Sequence, residues 1–92
     1  MFYVYIIQSV KDGRIYTGYT SDLRKRLEEH NQEKTKSIKH RTPFILVYYE
    51  AYLNKTDARK REIELKKNAQ QRKFLKKKIE NSLKNMASSS NG

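Results

Sequence analysis

Residues 2–20 read FYVYIIQSVKDGRIYTGYT, and the architecture of the chain starts from this stretch. Residues 2–8 are aromatic or β-branched apart from the final glutamine, a composition typical of a β-strand. Asp12-Gly13 is a strong hairpin signal, because glycine accepts the positive φ that a tight turn requires. Residues 14–19 predict the returning strand, so the chain opens with an antiparallel hairpin.

Helix and strand signals alternate after the hairpin. Residues 22–31 predict a helix, with Asp22 placing negative charge at its N-terminus. Residues 32–42 are polar and aperiodic, which indicates a basic loop. Residues 44–52 read FILVYYEAY and predict a third strand. Because this strand is apolar on both faces, we expect it to be buried and central in the sheet.

Two further helices are predicted, over residues 57–67 and 70–83. The second carries four apolar residues at helical spacing, Phe74, Leu75, Ile79 and Leu83. The order β-β-α-β-α-α predicts an α+β fold, a three-stranded antiparallel sheet packed with helices. We expect one domain over residues 1–84 and a disordered tail over residues 85–92.

Charge is the strongest signal in the composition. The 92 residues include 21 Lys and Arg against 10 Asp and Glu, a formal net charge of +11. Such a balance favours a polyanionic partner, because neutralised phosphates release counterions. The absence of cysteine excludes disulfides, thiolate catalysis and cysteine-ligated zinc. We expect a cytoplasmic protein without a membrane segment, since neither a signal peptide nor an apolar run of about 20 residues is found.

Three polar side chains lie where helical periodicity favours apolar ones. Glu62 falls in a stripe with Ala58 and Leu65, where a carboxylate must be paired, metal-bound or protonated. Arg26 and His30 share the leucine-bearing side of the first helix. Simpler interpretations remain open for each residue: an ion pair, an arginine that reaches from the apolar ridge to water, and a helix-capping histidine.

The tyrosines of the hairpin follow strand alternation. Tyr3 and Tyr5 share one face of the first strand, and Tyr16 and Gly18 share one face of the second. Pairing through the turn brings Tyr5 near Tyr16. For the tyrosines of the third strand we accept the simpler explanation, that they complete a small core while their hydroxyls stay hydrated. Periodicity alone leaves the role of Tyr5 and Tyr16 open.

The motif Tyr3-Val-Tyr followed by Tyr16-Thr-Gly resembles the paired signature of the GIY-YIG nucleases. The first glycine and isoleucine of that signature are replaced here by tyrosine and valine. The following helix and residues 58–66 resemble the small stand-alone bacterial branch of the family, often described as uncharacterised or excinuclease-C-like proteins. The resemblance runs over residues 3–75, which is most of the chain.

The resemblance implies a metal-dependent endonuclease that hydrolyses phosphodiester bonds in DNA, with structure-selective repair or recombination activity as one form. It implies a single Mg²⁺ or Mn²⁺ ion on Glu62, completed by waters and a phosphate oxygen. Tyr16, or Tyr5 assisted by Tyr16, would deprotonate the attacking water. Arg26 would favour an ionised tyrosine and bind developing phosphate charge. His30 would position phosphate or relay a proton.

Basic residues in the loop and at the end of the second predicted helix are candidate phosphate contacts. They are Lys34, Lys36, Lys39, His40, Arg41, Lys66 and Lys67. The lysines of the last helix either follow a phosphate backbone or form a solvated face. We expect DNA rather than RNA as partner, with a further protein for targeting. Two alternatives remain: an inactive nucleic-acid-binding module of this fold, and an adaptor whose basic helices bind another protein.

Overall fold

The structure is a computed structural model that describes residues 1–32 and 41–83. The elements are β1 (Phe2–Ser9), β2 (Ile15–Thr20), α1 (Leu23–Asn31), β3 (Phe44–Tyr52), α2 (Lys55–Lys67) and α3 (Ala69–Lys78). The three strands form one antiparallel sheet. This confirms the predicted α+β fold and its element order. The predicted domain end at residue 84 and the tail over 85–92 lie outside the described residues and remain predictions.

Strand β1 is the centre of the sheet, and the prediction of a central β3 is wrong. The strand order is β2-β1-β3, so β1 is paired along both edges. Its residues from Val4 to Ser9 are all buried, whereas β3 is mostly half-buried and Tyr49 is 52% exposed. An apolar run indicates only that both faces of a strand are covered. The central strand is the one that pairs along both of its edges, and here β2 and β3 both pair with β1.

Apolar side chains form two layers, one on each face of the sheet. Strand alternation sends Val4 and Ile6 to one face and Tyr5 and Ile7 to the other. The first pair packs with Ala58, Leu65, Leu75 and Ile79 of the C-terminal part. The second pair packs with Phe44 and, from α1, Leu23 and Leu27. Each fully buried aliphatic side chain contributes roughly 1.5–3 kcal/mol to stability.

Asparagine and aspartate caps set the starts of the helices. Asp22 accepts a hydrogen bond from the Lys25 amide and precedes α1, as predicted. Asn54 caps α2, which therefore begins at Lys55 instead of residue 57. Asn68 ends α2 and caps α3, which stops at Lys78 instead of residue 83. Within the described residues, no helix has the length and apolar character needed to cross a membrane.

Ser9 closes the hairpin turn with its side chain. Gly13 has φ 76° and its amide donates to the Ser9 carbonyl at 2.9 Å, so the predicted turn is confirmed. The Ser9 hydroxyl accepts from the amides of Lys11 and Asp12 and donates to the Arg41 carbonyl at 2.5 Å. This hydroxyl therefore ties the turn to the chain that enters β3.

Asn31 fastens the end of α1 to the start of β3. Its Nδ2 donates to the Phe44 carbonyl at 3.1 Å, and the Phe44 amide donates to Asn31 Oδ1 at 2.6 Å. One side-chain amide thus makes both bonds that a neighbouring strand would make. The two ends of the connection between α1 and β3 are therefore held together.

Candidate active site

A pocket of about 250 Å³ lies along β2, an edge strand of the sheet, with lining residues from both of its faces. Polar side chains from β1, β2, α1 and α2 reach into it. The lining residues include all five side chains that the resemblance singled out, Tyr5, Tyr16, Arg26, His30 and Glu62. Residues distant in the sequence thus meet in one concave site.

Tyr5 and Tyr16 occupy the same face of the hairpin on a diagonal. In the β1–β2 register Tyr5 pairs with Gly18, and Tyr16 pairs with Ile7. The expected approach of the two tyrosines is confirmed as this one-step diagonal. The Tyr5 ring lies over Gly18 so closely that a Cβ at that glycine would come 2.2 Å from the tyrosine hydroxyl oxygen.

The Tyr5 hydroxyl bonds to two residues of α1. It lies 2.9 Å from His30 Nε2 and accepts a 3.4 Å bond from Arg26 Nε. Burial raises the pKa of Tyr5, while the hydrogen bond and positive charge of Arg26 lower it. Arg26 therefore changes the pKa of Tyr5 in the predicted direction. The effect of burial on this pKa is larger, so the hydroxyl keeps its proton at neutral pH.

His30 is buried beneath the pocket and turns toward Tyr5. Its ring packs edge-on against Phe44, with centroids 6.0 Å apart, and Phe44 also contacts Tyr16. Burial lowers the pKa of His30, and the nearby charge of Arg26 lowers it further. A neutral ring that accepts from Tyr5 at Nε2 carries its proton on Nδ1, for which the described residues supply no acceptor. Within the described residues the side chain of His30 thus contacts Tyr5 and Phe44 of the sheet and makes no hydrogen bond to a carbonyl at the end of α1.

Glu62 extends from α2 between two cations of its own helix. Its side chain is 12% exposed and lies 3.0 Å from Lys66 Nζ and 3.5 Å from Arg59 Nε. Its predicted neighbours Ala58 and Leu65 are fully buried. The simpler interpretation, an ion pair, is therefore realised in a carboxylate that also lines the pocket.

Arg59 was missed by the sequence reasoning. Its guanidinium lies 5.0 Å from the centre of the Tyr19 ring, a cation–π contact at the border of the pocket. The spacing of three residues between Arg59 and Glu62 is the pattern that could have indicated it.

The donor set fits one kind of metal site. Among the described residues there is no group of three or more His, Cys, Asp or Glu side chains that could hold an ion. Mg²⁺ commonly binds through one or two carboxylates and completes its shell with waters and substrate phosphate. Glu62 alone therefore fits Mg²⁺ or Mn²⁺ shared with a phosphate, and not an ion caged by protein. Lys66 would have to leave the carboxylate.

A part-buried polar network connects the helix that carries Glu62 to β3. Arg61 Nε lies 3.0 Å from Glu50 Oε1 on β3, and its Nη1 lies 2.5 Å from Glu64. The hydroxyls of Tyr48 and Tyr52, predicted to stay hydrated, both donate to Glu50. Burial opposes ionisation of this carboxyl, but the hydroxyls and the guanidinium together hold its pKa below 4.5.

Comparisons with known proteins identify the family of this chain. Residues 1–79 match the GIY-YIG catalytic domain. The chain belongs to the GIY-YIG family. A UPF0213 protein of Staphylococcus saprophyticus is 44% identical over 73 residues, which cover 78% of this chain and 88% of that protein. UPF0213 proteins from several Staphylococcus aureus strains have the same identity and coverage.

The GIY-YIG fold is also found in a solved structure. The solution NMR structure of a UPF0213 protein from Bacillus halodurans is 36% identical and superposes with a TM-score of 0.53. The match covers 86% of this chain and 87% of that one. GIY-YIG proteins are a superfamily of nucleases, generally endonucleases that act on nucleic acid and use divalent metal ions.

The predicted phosphate contacts of this GIY-YIG chain fall into three groups. Lys34, Lys36, Lys39 and His40 lie outside the described residues. Arg41 is paired with Asp12 at 2.6 Å, so a phosphate would compete with the hairpin turn for it. Lys66 lines the pocket, and Lys67 is exposed at the end of α2.

Proposed function

We propose that this protein is a metal-dependent endonuclease that hydrolyses phosphodiester bonds in DNA, with branched repair or recombination intermediates as substrates. One observation carries the proposal: two hydroxyls, a guanidinium, an imidazole and a carboxylate converge in one pocket of about 250 Å³. Phosphodiester hydrolysis requires a proton acceptor for water and positive charge at the phosphate. The pocket provides groups of both kinds.

Tyr16 is the proposed proton acceptor: its hydroxyl oxygen would take the proton of the attacking water while its own proton passes to a solvent water. In the described part of the chain its hydroxyl has no hydrogen-bond partner, whereas the Tyr5 hydroxyl is engaged by His30 and Arg26. Tyr16 is thus the tyrosine that can receive a water molecule without breaking an existing bond. Tyr5 and His30 act as a pair that fixes the floor of the pocket and the position of Arg26.

Arg26 is the proposed phosphate ligand. Its side chain is 38% exposed and pairs with Glu29 at 3.2 Å, so guanidinium N–H groups remain accessible from the pocket. A planar guanidinium binds two phosphate oxygens at once and opposes the charge that builds during attack.

Glu62 is the proposed metal ligand. A divalent ion bound there would polarise the scissile phosphate and stabilise the leaving oxygen. Lys66, released from Glu62, would then be available for a flanking phosphate of the DNA. Because Lys66 and Arg59 already neutralise this carboxylate, an inactive nucleic-acid-binding module is the second candidate function.

Cleavage assays separate the two functions. Supercoiled plasmid, branched DNA and single-stranded RNA are incubated at low salt with Mg²⁺, Mn²⁺ or EDTA. We expect metal-dependent cleavage of DNA, strongest on branched substrates, that falls by about 100-fold or more in E62Q and in Y16F.

Each variant has a matched control on the same element type. E64Q removes a charge from the solvent side of α2, where Glu64 is 46% exposed, and Y49F removes an exposed hydroxyl from β3. Both should cleave like the wild type. Binding without cleavage in every metal would favour the inactive module, and equal loss in test and control variants would contradict the assigned roles.

A further inference from the structure

Phe74 is a large aromatic residue on the outer face of α3. The sequence placed it among the apolar residues of this helix, but only Leu75 and Ile79 are buried, and Phe74 is 59% exposed. Its neighbours on the helix surface are Gln70, four residues earlier, and Lys77, three residues later. The ring is therefore an isolated apolar surface inside a polar face.

Positive charge surrounds this ring. Helix α3 reads AQQRKFLKKK and contains no acidic residue. Neither Lys73 nor Lys76 has an ion pair within the described residues, and Lys77 pairs only with the exposed Glu80 at 3.3 Å. Together with Ala69, Gln70 and Glu80, these side chains line an open depression of about 740 Å³ around Phe74.

A third pocket lies between the depression and the catalytic pocket and shares one lining residue with each. Lys76 lines both the depression and a smaller pocket of about 150 Å³, and Thr17 lines both that pocket and the catalytic one. Arg72, in the middle, donates to the carbonyls of Leu65 and Lys66. Each of the three pockets therefore has a cation in its lining: Lys66 in the catalytic pocket, Arg72 in the middle one and Lys76 in the depression.

We infer that Phe74 is a stacking platform for an unpaired base and that Lys73 and Lys76 hold the phosphates of the same strand. An exposed aromatic ring among cations suits single-stranded nucleic acid, because an unpaired base offers its flat face for stacking. In a paired duplex the base faces are already stacked on one another. The inference rests on the proposed function and names its substrate class: DNA with a single-stranded arm next to the cleaved bond.

Charge argues against the other occupants of this surface. A second copy of the chain would bring one α3 against another and oppose lysine to lysine. Residues 84–92 read KNMASSSNG and contain one charged residue, which is also basic. A polyanion is therefore the complementary partner.

The chain contains no tryptophan, which permits a direct optical test. F74W introduces a single indole whose fluorescence is quenched when a base stacks on it. The matched control is L53W, because Leu53 lies between β3 and α2 and is 86% exposed. Both proteins are titrated in EDTA with a single strand of about 16 nucleotides, the upper end of single-strand site sizes. An abasic strand and a blunt duplex of equal length serve as control ligands.

We expect quenching of F74W by the single strand alone, and none in L53W. In parallel, F74A and F74L should bind the single strand at least about 5-fold more weakly than wild type, while F74Y retains affinity. The abasic strand should bind all four proteins alike. K73A/K76A should lower the slope of log affinity against log salt by roughly 1–2.

Equal quenching in F74W and L53W, or unchanged single-strand affinity in F74A and F74L, would overturn the inference. A concentration-dependent dimer that dissociates in F74A would also overturn it, since the ring would then be a self-contact. These readouts need no catalysis. Stacking without metal-dependent cleavage would therefore count against the proposed function alone, and cleavage without stacking against this inference alone.

Discussion

At the scale of single residues, Gly18 matters for space and not for backbone conformation. It lies in the regular part of β2, paired with Tyr5, and no positive φ is found there. The Tyr5 ring occupies the position that a side chain at residue 18 would fill. The tyrosine that bonds His30 and Arg26 can lie across the strand only because its partner is glycine.

G18A should therefore displace Tyr5. We expect the free energy of unfolding to fall by about 1–3 kcal/mol from overpacking. DNA cleavage should fall by about 100-fold, since a misplacement of about 1 Å in a catalytic site has that effect. Chemical denaturation and cleavage assays measure the two changes.

G13A is the control for this prediction. Gly13 has φ 76°, so alanine there strains the turn and lowers stability, but no residue of the turn lines the pocket and cleavage should persist. If G18A cleaves at the wild-type rate, Tyr5 is not held by this contact.

Individual side-chain positions were predictable from the sequence only where a regular period determines them. Strand alternation placed Tyr5 and Tyr16 on one face, and the helical period placed Glu62 between the buried Ala58 and Leu65. The bond from Tyr5 to His30 could not be predicted, because it depends on how α1 packs on the sheet. The spacing of Glu62 and Lys66 allowed an ion pair, but it could not distinguish this pair from a metal-bound or a protonated carboxyl.

At the scale of elements, hydrophobicity predicted each strand and helix but not every position in the assembly. β1 and β3 are similarly apolar, and only their pairing partners make β1 central. Helix α3 was predicted to be longer because apolar spacing continues to Leu83, although hydrogen-bonded turns replace the helix after Lys78. Phe74 follows the apolar spacing and yet faces outward.

E50A should loosen α2 on the sheet. Glu50, which is 17% exposed, accepts hydrogen bonds from Arg61 and from two tyrosine hydroxyls. The substitution leaves these three groups without their shared acceptor. We expect a loss of roughly 1–3 kcal/mol in the free energy of unfolding, less than for a fully buried pair. Cleavage should fall as well, since Glu62 follows Arg61 on the same helix.

E64A is the comparison for that variant. Glu64 also pairs with Arg61 but is 46% exposed, so its removal should change stability by less than about 1 kcal/mol. Equal destabilisation of E50A and E64A in urea titrations would mean that the network does not fix α2.

At the scale of the whole molecule, the buried His30 and the part-buried Glu50 make stability depend on pH in separate ranges. Burial keeps the pKa of His30 below 6.5, and the network keeps the pKa of Glu50 below 4.5. The unfolded chain binds a proton at His30 at a higher pH than the folded protein does. The His30 contribution is therefore complete above pH 6.5 and decreases as the pH falls below it, whereas the Glu50 contribution is lost only at lower pH.

The free energy of unfolding should decrease between pH 7 and pH 5. Its slope should be at most about 1.4 kcal/mol per pH unit, the limit for one proton. H30Q should flatten this slope, even if its stability is lower throughout, because glutamine does not titrate. H40Q, which removes the other histidine of the chain, should keep the slope. A slope that persists in H30Q and vanishes in H40Q would show that His40 causes the pH dependence, and would contradict the prediction.

The clamp between Asn31 and Phe44 has a consequence for engineering. One amide ties Asn31 to Phe44, and Ser9 and Asp12 of the hairpin turn hold Arg41. We therefore expect the pocket to keep its geometry when the chain between residues 32 and 41 is lengthened. A recognition peptide or a small folded module can be spliced in between these two anchors. Such a chimera would keep the proposed activity and bind DNA at the site that the inserted module recognises.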